Sequence, residues 1–222
     1  MNQTITNDFD AYVFDMDGTL LDTLPDLVVV TNQALKDYGF PNHTQEEILG
    51  MVGYGARVLM QRALPEGTSD ELIDEVLTHW KAIYPDFGHK LTQPYDGVVE
   101  ALQALRDAGK KTGVLSNKYH AGVCELAEIY FPGLFDIVQG EGPVPRKPDP
   151  AGLIHVLKEL DVDPSRCAYF GDSETDMKAA NSAGAYAVGV SWGYQPVSLL
   201  EVTGSRVIIN NPSQIVEIKH KD

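Results

Sequence analysis

The chain predicts an α/β fold: a Rossmann-like parallel sheet flanked by helices, with an α-helical subdomain inserted after the first strand. Three observations carry this. Short apolar runs recur and end in Asp, Ser or Gly-Asp. Helical stripes lie between those runs. Residues 23–91 break the alternation with helical patterns and no convincing strand.

The first apolar run, Ala11-Tyr12-Val13-Phe14, ends at Asp15 and has the length and composition of a buried strand. Thr112 to Leu115 leads to Ser116 in the same way, and Cys167 to Phe170 leads to Gly171-Asp172. Tyr186 to Val190, Val207 to Ile209 and the weaker Phe135 to Val138 read as further strands. Between them, Val98, Leu102, Leu105 and Ala108 form one helical stripe, with Asp96 as the expected N-cap and Gly109 as the stop. Asp149-Pro150 opens a second helix carrying Leu153, Val156, Leu157 and Leu160. Ser173 caps a third, which ends near Gly184. Strands alternating with helices imply a parallel sheet covered on both faces.

The stretch from Thr23 to Leu91 holds helical patterns around 27–38, 45–51, 56–63 and 71–84. About seventy residues is too long for an ordinary connection, so a helical subdomain is expected there. The expected division is a core of residues 1–22 and 92–222 and a helical cap of residues 23–91, which could move as a lid.

Composition excludes some partners. The 222 residues include 17 basic and 32 acidic side chains, a net charge of −15. Such a surface repels nucleic acid and anionic membranes. An anionic ligand must then meet a local positive site, either a metal or a placed Lys. No run reaches transmembrane length, and Met1 to Asp10 lacks the basic and apolar regions of a signal peptide, so a cytoplasmic protein is expected. Cys124 and Cys167 are expected as buried free thiols.

The chemistry-bearing residues cluster at strand ends. Asp15-Met16-Asp17-Gly18 follows the first strand, and positions i and i+2 of an extended stretch point the same way. Asp15 and Asp17 can therefore address one site, in the place where open α/β sheets bind ligands. Asp-x-Asp-Gly is also an ordinary turn sequence. Ser116-Asn117-Lys118 ends the second strand. A helix N-cap is the plainer reading of Ser116, and its hydroxyl and the neighbouring N–H groups can equally hold a phosphate oxygen. Lys147 lies in the stiff loop Arg146-Lys147-Pro148-Asp149-Pro150. Ser173 and Asp176 have capping-box spacing, which leaves Asp172 at the strand tip unexplained.

The ordered set Asp15-x-Asp17-Gly-Thr-Leu, Ser116, Lys147-Pro148 and Gly171-Asp172-Ser173-x-x-Asp176 resembles the haloacid dehalogenase superfamily over nearly the whole chain. Gly53-Tyr54-Gly55-Ala56-Arg57, Ser116-Asn117-Lys118 and Lys147-Pro148-Asp149-Pro150 look like its phosphoglycolate-phosphatase-like members. Pyrophosphatases, sugar-phosphate phosphatases and β-phosphoglucomutases share the same core and cap. The resemblance implies a Mg²⁺-dependent phosphatase acting on a small phosphorylated metabolite. Asp15 would be the nucleophile and Asp17 the acid and base. Asp15, Asp172 and the Asp17 carbonyl would hold Mg²⁺, with Ser173 and Asp176 behind them. Ser116, Asn117, Lys118 and Lys147 would bind substrate, with Arg57, Gly53 and Tyr54 contributed by the cap. A receiver-type signalling domain uses a similar set of groups but is much shorter and lacks a cap. A dehalogenase has little use for an acid at Asp17.

Overall fold

The computed structural model describes residues 9–87, 89–142 and 144–219. The first eight residues of the polar N-terminal segment lie outside that range. The chain divides into two compact units, Met1–Leu21 with Pro94–Asp222, and Asp22–Gln93.

In the larger unit, β1 (Ala11–Phe14) is followed after the inserted unit by α5 (Val98–Asp107), β4 (Lys111–Tyr119), α6 (His120–Tyr130), β5 (Ile137–Glu141), α7 (Ala151–Leu160), β6 (Cys167–Gly171), α8 (Glu174–Ala183), β7 (Tyr186–Val190), α9 (Val197–Val202) and β8 (Val207–Ile209). The smaller unit carries α1 (Leu24–Asp37), α2 (Gln45–Leu49), α3 (Ala56–Ala63) and α4 (Asp70–Phe87). Two short strands, β2 (Leu21–Asp22) and β3 (Gln93–Pro94), run along the two chain connections and pair with each other.

Six strands form a parallel sheet in the order β5-β4-β1-β6-β7-β8. The chain builds outward from β1 through β4 to β5, then returns to lay β6 on the other side of β1. That reversal is a topological switch point, and it sets the carboxyl ends of β1, β4 and β6 side by side. Strand residues alternate between two buried faces. Tyr12, Phe14, Val114 and Phe170 pack with α5 and α6, and the Phe14 and Phe170 rings stack 4.7 Å apart. Ala11, Val13, Leu115 and Tyr169 pack with α7 and α8 on the opposite face. Burial on both faces explains why these strands read as unbroken apolar runs.

Several expectations shift. Strand β4 continues through Ser116-Asn117-Lys118 to Tyr119, so Ser116 is not a helix cap. The pairing of β4 with β5 slips between Leu115 and Tyr119, and the buried polar triplet occupies that irregular stretch. Such irregularities re-aim side chains beside active sites. Asp96 does not cap α5; Gly97 stands at the N-cap with a left-handed backbone. Helix α1 begins at Leu24, because Pro25 is accommodated in a first turn where its missing N–H goes unneeded. Cys167 is buried, whereas Cys124 is partly exposed, and both thiols are free.

Among the described residues, the regular elements of the inserted unit are helices apart from its connecting strands. Leu27, Val30, Leu35, Ile48, Met60, Val76 and Trp80 fill its interior, and Trp80 donates to the Thr31 hydroxyl at 3.2 Å. Buried Asp26 accepts from the N–H groups of Leu91 and Thr92 and from the Thr92 hydroxyl, fastening the returning chain to the start of α1. Among the described residues, no helix is long and apolar enough to cross a membrane.

Candidate active site

The loop after β1 is a tight turn in which the N–H groups of Thr19, Leu20 and Leu21 converge on the Met16 carbonyl. It leaves Asp15 at the strand tip, with the Asp15 N–H still bonded to the Phe170 carbonyl of β6 at 2.9 Å. Asp172 stands at the tip of β6, and Asp176 lies on the first turn of α8. One carboxylate oxygen from each of Asp15, Asp172 and Asp176 falls within 4.8 Å of the others, and all three residues are buried.

Asp172 is held from two sides. The Thr19 hydroxyl donates to one oxygen at 3.1 Å and the Tyr194 N–H to the other at 2.7 Å. The loop after β7 reaches in to do this, and Trp192 also donates from its indole to the Thr19 carbonyl at 3.1 Å. Gly18 and Gly193 make the approach possible. A Cβ at Gly18, where φ is +81°, would lie 2.3 Å from an Asp172 oxygen, and one at Gly193 would lie 2.2 Å from the Asp172 Cβ.

Lys147 enters the same cluster from the loop before α7. Asn117 fixes that loop by a reciprocal pair of bonds: its amide donates to the Lys147 carbonyl at 3.0 Å, and its oxygen accepts from the Lys147 N–H at 2.8 Å. The Lys147 ammonium donates to the Leu115 carbonyl at 3.1 Å, the Tyr169 hydroxyl at 3.1 Å and Asp176 Oδ1 at 2.7 Å. It also lies 2.8 Å from Asp15 Oδ1, but out of alignment for a hydrogen bond, so that buried oxygen has proximity to a charge without a directed donor. Asp176 is further bound by Ser173, whose hydroxyl and N–H donate to Oδ2 within a capping box.

The electrostatics follow from burial and crowding. Burial pushes Asp15 up to about 7, reinforced by Asp176 and Asp17 and opposed by Lys147. Burial and the charges of Asp176 and Asp15 raise Asp172 well above the carboxylate range, against the pull of the Tyr194 N–H and Thr19. Burial works against the charge of Lys147, but Asp15 and Asp176 outweigh it and hold the ammonium more firmly protonated than usual. Three acids facing one cation cannot all ionise unless a further positive charge joins them. The cluster offers only hard oxygen ligands, one of them without a directed donor, so it fits a small divalent cation.

The remaining sequence-predicted residues divide by place. Asp17 follows on the same loop, and the buried Lys118 donates to its Oδ1 at 3.2 Å. Ser116 is buried in the irregular stretch of β4, and its oxygen accepts from the Lys118 N–H at 3.2 Å. Gly53, Tyr54 and Arg57 belong to the inserted unit. There Arg57 donates to Asp74 at 2.8 Å and to Asp70 at 2.6 Å, tying α3 to α4, and Arg62 lies over the Tyr54 ring. Thr19 stood in the first motif without an assigned role, and Tyr169 and the Trp192-Gly193-Tyr194 loop were not expected from sequence. The signal for the last was a Gly just beyond an apolar strand, flanked by two aromatics.

Strand-tip carboxylates around a buried ammonium form the candidate active centre of this α/β chain with its helical insertion. The chain belongs to the haloacid dehalogenase-like hydrolases, whose family model matches residues 12–190. It is 35% identical over 202 residues to a phosphoglycolate phosphatase of Vibrio vulnificus (strain YJ016), covering 85% of this chain and 87% of that protein. It is 33% identical over 206 residues to a phosphoglycolate phosphatase of Pseudomonas putida, covering 90% and 75%. A crystal structure of a predicted phosphoglycolate phosphatase from Haemophilus somnus 129PT superposes with a TM-score of 0.88 at 28% identity, over 96% of this chain and 98% of that one. Within its family the chain is a phosphatase.

The crowding at Gly193 yields an expected result. Gly193→Ala must displace Asp172 or the Gly18 backbone, so it should lower stability and, in the molecules that fold, lower turnover by about 10²-fold, the scale of a misplacement of about 1 Å. Steady-state assays on a variant with native circular dichroism test this, and wild-type turnover would show that the loop does not set Asp172.

Proposed function

We propose that this phosphatase is Mg²⁺-dependent and hydrolyses a small phosphorylated acid, with 2-phosphoglycolate among its best substrates. The observation that supports the site best is the meeting of Asp15, Asp172, Asp176 and Lys147 in one buried cluster at adjacent strand ends. The names of the relatives support the substrate.

In this reading Asp15 attacks phosphorus in line. The bond from phosphorus to the ester oxygen breaks, and the departing alkoxide takes a proton from Asp17. Asp17, now ionised, removes a proton from water. The water attacks the aspartyl phosphate, freeing inorganic phosphate and the Asp15 carboxylate. The Ser116 hydroxyl donates to the non-bridging oxygens and the Lys147 ammonium attracts them by its charge, while Asn117 keeps the Lys147 loop in place. Asp15, Asp172 and the Asp17 carbonyl would hold Mg²⁺, with Ser173 and Asp176 supporting them. When bound, the ion supplies the positive charge that lets the clustered acids ionise together and lessens their repulsion of phosphate. Residues 1–22 and 92–222 act as the catalytic core, and residues 23–91 as the cap.

Lys118 is the nearest candidate for reading a substrate carboxylate, in competition with Asp17. Arg57, with Gly53 and Tyr54, is the candidate from the cap, and it would have to share its guanidinium with Asp70 and Asp74. The test compares kcat/KM for phosphoglycolate, pyrophosphate and glucose phosphates in wild type, Lys118→Ala and Arg57→Ala. Phosphoglycolate should lead. Excess chelator should abolish turnover, and Mg²⁺, but not Ca²⁺, should restore it. Lys118→Ala should harm phosphoglycolate more than an uncharged ester. Full activity in chelator would refute the metal. Conversion of β-glucose 1-phosphate to glucose 6-phosphate in preference to hydrolysis would replace the hydrolase with a mutase.

A further inference from the structure

The polar atoms around Lys147 can be counted. An ammonium has three N–H bonds and a tyrosine one O–H. Four oxygens surround the ammonium: Leu115 O, Tyr169 Oη, Asp176 Oδ1 and Asp15 Oδ1. Three of them take its three N–H bonds, and Asp15 Oδ1 is the one left without an aligned donor, although it is only 2.8 Å away. The Tyr169 hydroxyl spends its own hydrogen on the acceptors it shares with Lys147, Asp176 Oδ1 at 3.0 Å or Leu115 O at 3.1 Å. Tyr169 is fully buried in the middle of β6, on the face packed by α7 and α8, so its ring cannot swing away. Without the hydroxyl, three N–H bonds would face three oxygens, and the third bond would fall to Asp15.

We propose that Tyr169 is a positioning residue for the phosphatase reaction: by accepting one Lys147 N–H it keeps that bond off the Asp15 oxygen, leaving the carboxylate free to attack phosphorus. The inference rests on Asp15 being the nucleophile. A directed hydrogen bond from an ammonium lowers the availability of a carboxylate lone pair, so Tyr169 acts on the chemical step without touching substrate. It also explains why a buried strand carries a hydroxyl where an apolar ring would pack equally well.

The test is Tyr169→Phe, assayed with Mg²⁺ and a series of aryl phosphates. Loss of the hydroxyl should lower kcat by about tenfold, the scale of one hydrogen bond to a charged group. KM should hold within about twofold, because substrate binding keeps its partners. Transfer to Asp15 then becomes the slow step, so kcat should depend more steeply on the leaving group than in wild type. In the metal-free protein, the ¹H–¹⁵N signal of the Lys147 ammonium should shift as its third bond moves to Asp15. A 3-fluorotyrosine at the same position, whose oxygen is a weaker acceptor, should give a smaller effect in the same direction and covers a poorly folding Phe variant. An active wild type with unchanged kcat and an unshifted ammonium signal in the variants would overturn the inference, as would a rise in KM alone. A wild type that hydrolyses none of the esters would overturn the phosphatase reading itself, and the positioning role with it.

Discussion

Asp15→Asn is expected to fold and to lose turnover by on the order of 10⁴-fold or more, since effects of that size follow removal of a nucleophile. An amide offers phosphorus no anionic oxygen, and no neighbouring carboxylate stands where Asp15 stands. Asp172 is held by Thr19 and Tyr194, and Asp176 by Ser173, Tyr169 and Lys147. Folding should not suffer, because the substitution removes one of three acids that repel one another in a buried site. Two measurements check it: steady-state phosphate release, and labelled phosphate retained on acid-quenched enzyme. Wild type should carry the label during turnover and Asp15→Asn should not. A folded Asn variant with wild-type turnover would refute covalent catalysis.

Lys147→Ala is the second large effect, and it acts on two quantities. Removing the ammonium leaves Asp15, Asp176 and the Leu115 carbonyl without their shared partner. Breaking a buried pair from one side costs about 3–5 kcal/mol of folding stability. Catalysis should fall by about 10²–10³-fold, the scale of deleting one positioned donor from a charge-stabilising site. Denaturant unfolding reads the first quantity and kcat the second. Unfolding in Mg²⁺ should recover part of the lost stability, since a dication answers the same surplus of negative charge. Wild-type kcat in the variant would remove Lys147 from the mechanism.

Much of the architecture was legible because parallel strands buried on both faces leave continuous apolar runs. The polar residue ending each run, Asp15, Ser116 or Asp172, then marks the ligand-binding edge. The capping box at Ser173 and Asp176 was legible because its spacing is local. What escaped was non-local. Whether Ser116 caps a helix or continues a strand depends on β5 pairing irregularly alongside it. Tyr169 looks like any aromatic in a buried strand until Lys147, twenty-two residues earlier, is placed against it. The contribution of Gly193 exists only because the loop after β7 crosses over Gly18 and Asp172. That Asn117 binds the Lys147 backbone with both ends of its carboxamide was equally invisible, since the two residues lie thirty positions apart.

The acid cluster also bears on how the protein must be handled. Three buried carboxylates against one ammonium oppose the folded state, and a cation that binds only that state works the other way. Melting temperature then becomes a binding isotherm. Each tenfold rise in free dication above its dissociation constant adds about 1.4 kcal/mol of stability. A preparation stripped by chelator and one kept in the dication should then behave, to a calorimeter, as two proteins of different robustness. In solutions where the ion fluctuates, the same surplus charge that recruits it would make the lifetime of the fold track its supply.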